Sequence, residues 1–84
     1  MRIILSDSAW DDYIYWMQVD GNAIKQVKKL IKSICCTPFE GIGNPEPLKY
    51  NLSGFWSRRI NAEHRLVYQV DGDCLLIASC RYHY

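Results

Sequence analysis

The sequence predicts an α+β fold in which two helices cover one face of an antiparallel sheet formed mainly by a C-terminal three-strand meander. Three observations lead there. Residues 24–34 repeat apolar side chains at helical spacing. The chain after Gly54 is dense in β-branched and aromatic residues and is broken by an Asp-Gly pair, a strong hairpin signal. A short apolar run, "RIIL", precedes both.

The elements follow in order. "RIIL" reads as a short buried strand. Ser8 is the expected N-cap of the first helix, with Asp11 three residues on and further acids in the first turn. Trp10, Tyr13, Ile14 and Met17 then recur at helical spacing. "VDGN" interrupts at Asp20-Gly21. The second helix carries one apolar stripe, Ile24, Val27, Leu30, Ile31 and Ile34, with Lys25, Lys28, Lys29 and Lys32 mostly off it. Pro38 ends it, because the residue before a proline avoids the helical region. "TPFEGIGNPEPL" reads as a long loop, a feature that is often functional in a compact domain. "GFWSRRI", "HRLVYQV" and "CLLIASCRY" are the meander, joined by "NAE" and "DGD". Alternation puts Leu66, Tyr68 and Val70 on the helix side and turns Arg65, Val67 and Gln69 to the bare face. A three-residue "NAE" loop sets Arg59 opposite Arg65; a two-residue loop would set His64 there instead.

Composition narrows the class. A chain of 84 residues with 49% hydrophobic and 23% charged side chains is expected to form one domain, residues 1–84. It holds no run of the roughly 18 apolar residues that a membrane span needs, and "MRIILSDSAW" is too short in apolar length for a signal peptide. A soluble, cytoplasmic protein is expected, with no membrane partner. Cys35, Cys36, Cys74 and Cys80 show neither C-x-x-C nor zinc spacing toward His64 or His83, so they read as reduced thiols used as small hydrophobes and no metal site is expected.

A net charge of +1 argues against a general nucleic-acid coat, but the distribution is uneven. Lys49, Arg58, Arg59 and Arg65 stand against Glu63 alone between positions 49 and 65, and Arg81 and His83 follow at the end. One cationic face toward a polyanion fits that pattern. Glu46 and Lys49 from the loop, Arg59 and Arg65 from the sheet, and Arg81, His83 and Tyr84 from the last segment could all reach the bare face. A carboxylate, an imidazole and guanidiniums are sufficient for cleaving an RNA phosphodiester without a metal: base, acid and charge clamp. Each has an ordinary reading too. Glu46 could be a solvated loop acid, Lys49 a surface lysine, Arg59 and Arg65 cross-strand partners, His83 an idle terminal residue, Tyr84 packing, and Glu63 with His64 turn residues.

"TPFEGIGNPEPLKYNLSGFWSRRINAEHRLVYQV" followed by "CRYHY" resembles the YoeB toxin family of the RelE/ParE superfamily, and the likeness runs from "WDDY" to the terminal "YHY". The resemblance implies a RelE-like fold and a ribosome-dependent endoribonuclease of a type II toxin–antitoxin pair that cuts mRNA in the decoding A site and so inhibits translation, with no cofactor. It implies Glu46 of "PEPLK" as general base, His83 of "RYHY" as general acid, Arg65 of "EHRLVY" as transition-state clamp and Tyr84 as a positioning residue. It also implies Lys49 and Arg59 as supporting cations and Glu63 as a nearby acid. A YefM-like cognate antitoxin, the ribosome with its mRNA, operator DNA bound through the toxin–antitoxin complex, and a homodimer are the implied partners. A gyrase poison on the same fold, or an RNA- or protein-binding module without chemistry, are the alternatives; the Glu46–His83 pair speaks against the first.

Overall fold

A computed structural model describes residues 1–82. The chain runs β1 (Arg2–Leu5), α1 (Asp7–Val19), α2 (Gly21–Cys36), β2 (Glu46–Pro47), a 3₁₀ turn (Tyr50–Leu52), β3 (Trp56–Arg59), β4 (Arg65–Asp71) and β5 (Cys74–Ser79). The sheet has five strands in the order β1-β5-β4-β3-β2. The expected meander is its antiparallel centre, β3-β4-β5. β1 joins parallel to β5, with Ile3 opposite Leu75, so the sheet is mixed rather than wholly antiparallel.

α2 matches its apolar stripe: Ile24, Val27, Leu30 and Ile34 are buried and Ile31 packs at the margin. Asp20 caps its start by accepting from the Asn22 and Ala23 amides. The buried side of α1 differs from the expected one. Ala9 and Trp16 face the core, whereas Trp10 and Met17 are more than half exposed (55% and 57%). Ala9 is the reason: its small side chain lets the helix approach the last strand closely enough for the Cys80 thiol to lie 3.7 Å from the Ala9 carbonyl. The N-cap is Ser6, not Ser8. β1 ends at Leu5, so the helix must start at once; Ser6 Oγ accepts from the Ala9 amide and donates to the Ala78 carbonyl. β1 itself is an edge strand, and Ile3 and Ile4 stay nearly half exposed (47% and 44%), contrary to the buried strand expected.

The Thr37–Leu48 loop is not structureless. Glu46 and Pro47 form β2, pairing Glu46 with Ser57 and Pro47 with Trp56. Proline is tolerated there because β2 is the outer edge of the sheet. What shapes the loop is Arg58, which alternation sends to the helix side and which is fully buried. All five of its donors are used. Nε donates to Tyr68 Oη; Nη1 to Ser33 Oγ and the Ile42 carbonyl; Nη2 to the Thr37 and Glu40 carbonyls, at 2.7–3.2 Å. Tyr68 Oη in turn donates a hydrogen bond to the Pro38 carbonyl. Gly43 lets the loop press in: a Cβ there, at φ +82°, would lie 2.6 Å from Leu30 Cδ2 and 3.2 Å from the Arg59 carbonyl oxygen.

Cys80 is buried beneath α1, its amide donating to Asp12 and its carbonyl accepting from Trp16 Nε1. Burial, helped by the Asp12 charge, pushes the thiol from 9.0 up to about 12.

Three outcomes follow from this packing. Arg58→Met strips donors from five acceptors and should cost about 3 kcal/mol or more in a urea titration, whereas Arg59→Met on the exposed face should change stability by less than about 1 kcal/mol. At mildly alkaline pH, iodoacetamide should label exposed Cys36 in the native protein and Cys80 only after unfolding, read by peptide mass spectrometry. Because the folded chain holds the Cys80 proton more tightly than the unfolded chain, this contribution to stability is complete below 9.0 and is lost as the pH rises toward about 12.

Candidate active site

The face of the sheet away from the helices carries Glu46 on β2, Ser57 and Arg59 on β3, and Arg65, Val67 and Gln69 on β4. The "NAE" loop has three residues, and Arg59 lies directly opposite Arg65. His64 instead closes the hairpin end, its carbonyl accepting from the Ile60 and Asn61 amides. Like charges directly opposite one another across a ladder are destabilising. The sheet therefore holds two cations together at a cost that an anion between them would offset.

Arg65 is largely enclosed, with 18% of its side chain exposed, and its Nε donates to Ser57 Oγ at 3.1 Å. Ser57 is buried, and this bond fixes the plane of the guanidinium. Nη2 lies 3.5 Å from Glu46 Oε2, yet it is buried and makes no hydrogen bond among the described residues. The carboxylate of Glu46 is half exposed and is turned by Asn44, whose side-chain Nδ2 donates to Oε1 at 3.0 Å. Asn44 can do so because it sits at φ 54°, a left-handed conformation that asparagine tolerates. The result is an oriented guanidinium beside an oriented, solvent-accessible carboxylate.

Other expected residues are placed as follows. Lys49 is exposed and starts the 3₁₀ turn three residues after Glu46. Glu63 is exposed in the hairpin loop, its amide donating to Asn61 Oδ1. Arg81 packs against aromatic rings. Its guanidinium lies 3.5 Å from the centroid of the Tyr15 ring of α1 and 4.6 Å from that of Tyr82, and Nε is buried with no acceptor among the described residues. His83 and Tyr84 lie outside the described residues. The last described residue, Tyr82, is tied to the site: its carbonyl accepts from the Arg65 amide at 2.9 Å. Ser57 and Asn44, which orient the guanidinium and the carboxylate, were not foreseen from sequence. Strand alternation places Ser57 on the same face as Arg59, which is the signal that could have found it.

A small mixed sheet with helices on one face and an arginine–carboxylate pair on the other defines a class that comparison with known proteins identifies as the toxins of bacterial type II toxin–antitoxin systems. The model of the YoeB-like toxin of bacterial type II toxin-antitoxin system matches residues 5–84. The chain belongs to that YoeB-like toxin family. It is 62% identical over 84 residues to Toxin YoeB of Escherichia coli (strain K12), covering all of both chains. Among solved structures, the YoeB/ParE toxin from Agrobacterium tumefaciens superposes with a TM-score of 0.98 at 45% identity, covering all of both chains. The YoeB dimer from Staphylococcus aureus gives 0.94 at 52% identity, and the heterotetrameric YoeB-YefM toxin-antitoxin complex from the same organism gives 0.92 at 52%; each covers all of this chain and 98% of the other.

A half-exposed carboxylate with a 3.5 Å partner contributes little to folding. Glu46→Gln should therefore change the unfolding free energy by less than about 1 kcal/mol in denaturant titration. A loss of about 3 kcal/mol would show that the pair exists for stability.

Proposed function

We propose that the chain is a ribosome-dependent endoribonuclease that cuts mRNA in the decoding A site, and that this arrests translation. The observation that carries the proposal is the Arg65 guanidinium, held by Ser57 and 3.5 Å from the accessible Glu46 carboxylate. Glu46 takes the proton of an RNA 2′-hydroxyl, and that oxygen attacks the adjacent phosphorus. Charge gathers on the phosphorane oxygens, and the Arg65 guanidinium stabilises it while Nε stays anchored on Ser57. The imidazolium of His83 gives a proton to the departing 5′-oxygen, leaving a 2′,3′-cyclic phosphate and a 5′-hydroxyl. Lys49 and Arg59 attract flanking phosphates, Glu63 and Arg81 border the approach, and Tyr84 positions the substrate. The reaction needs no cofactor.

The family and the YoeB-YefM complex of S. aureus support a YefM-like cognate antitoxin as partner, and the S. aureus YoeB dimer supports self-association. Exposed Ile3, Trp10, Met17 and Val19 offer apolar surface to such partners. Operator DNA would be bound through the toxin–antitoxin complex. Such an activity places the protein in the cytoplasm; no helix among the described residues is long and apolar enough to cross a membrane.

Primer extension on mRNA translated in the presence of purified protein tests the proposal. Wild type should create new 5′ ends at A-site codons, and Glu46→Ala, Arg65→Ala and His83→Ala should each lower the rate by about 10²-fold or more. Intact mRNA with gyrase-linked DNA breaks, or RNA binding with no cut by wild type, would overturn it.

A further inference from the structure

His64 stands one residue before Arg65 and has no part in the chemistry just described. Its surroundings are nonetheless specific. The Tyr82 amide donates to His64 Nδ1 at 2.7 Å, and the Arg65 amide donates to the Tyr82 carbonyl at 2.9 Å. Both backbone polar groups of Tyr82 are thus taken by two adjacent residues of the hairpin. An amide can only donate, so Nδ1 must be bare, and in the neutral ring the proton sits on Nε2.

The ring that accepts this bond is itself held on several sides. The His64 amide donates to Asn61 Oδ1, and the His64 carbonyl receives the Ile60 and Asn61 amides. Trp16 of α1 meets the imidazole edge-on, with centroids 4.8 Å apart, and its Nε1 donates to the Cys80 carbonyl two residues before Tyr82. The Tyr82 ring tilts over the imidazole at 5.5 Å. Tyr82 adopts φ 63°, a left-handed conformation unfavourable for an aromatic residue. Such a conformation persists only where neighbours over-determine it. Here the neighbours are the imidazole nitrogen and the Arg65 amide, and the chain is turned at the residue that immediately precedes His83.

We propose that His64 is a positioning residue: its neutral imidazole, accepting the Tyr82 amide through Nδ1, holds the Tyr82 backbone in its left-handed turn beside Arg65. The inference rests on the reading that His83 and Tyr84 act on the substrate. It assigns His64 no contact with the RNA.

Two substitutions separate this role from packing. His64→Asn keeps an acceptor where Nδ1 lies and gives up the ring against Trp16. His64→Phe keeps the ring and gives up the acceptor. In single-turnover cleavage of ribosome-bound mRNA, His64→Phe should lose about 10- to 100-fold in kcat with KM nearly unchanged, since a displacement of about 1 Å can cost that much. His64→Asn should stay within about threefold of wild type. The reverse order would overturn the proposal and make His64 a packing residue. ¹⁵N NMR of the wild type should show His64 as the Nε2–H tautomer, and the Tyr82 amide resonance should move in His64→Phe. An Nδ1–H tautomer would overturn the proposal whether or not the variants fold. Failure of the wild type to cleave would refute the nuclease reading instead, leaving the tautomer to decide the role of His64.

Discussion

A guanidinium buried with no carboxylate partner among the described residues is the constraint on which the rest of this structure depends. Arg58 enters the interior with its full charge, and burying an isolated charge is among the costliest events in folding. The fold meets that cost with geometry. Three backbone carbonyls of the Thr37–Ile42 segment, one serine on α2 and one tyrosine on β4 each take a donor. Satisfying the guanidinium therefore dictates the path of the loop, the end of α2 and the side of β4 that faces inward. A hydrophobic residue at position 58 would leave the loop without a reason to lie where it does.

The loop's path has a chemical consequence. Once Thr37–Gly43 is drawn onto the helix side of β3, the Arg59 amide reaches the Gly43 carbonyl at 2.6 Å, and the chain passes to the outer edge as β2. That edge sets Glu46 beside Ser57, whose hydroxyl holds Arg65. Neighbouring arginines on β3 thus serve opposite ends: Arg58 ties the loop from within, and Arg59 joins Arg65 on the face that the loop completes. The helices close one face of the sheet, and charge is gathered on the other, where a polyanion can reach it.

What the sequence disclosed, and what it hid, follows from the same physics. α2 was legible because five large apolar side chains repeat at one spacing. α1 was legible as a helix but not in its buried face, because the residue that fixes its approach to the sheet is Ala9, which carries almost no hydrophobic signal beside Trp10. The cap lay two residues earlier than expected because the strand left no linker before the helix. β2 was hidden by its prolines, which argue against a strand everywhere except at an edge. Arg58 counted among the surface cations, since arginine is almost never fully buried; only the strict alternation of β3 hinted otherwise. Glu46 and Arg65 were legible through their motifs, and the coordinates bring them together. The expectation for His83 and Tyr84 concerns residues beyond the described ones.

The account stands or falls on whether Arg58 anchors the loop to the sheet. Native-state hydrogen exchange at the Arg59 amide, the group bonded to Gly43, measures this directly in wild type and in Arg58→Lys. The account predicts that the lysine variant exchanges this amide by local opening while the β4–β5 amides stay protected as in wild type. Equal protection of the Arg59 amide in the two proteins would contradict it.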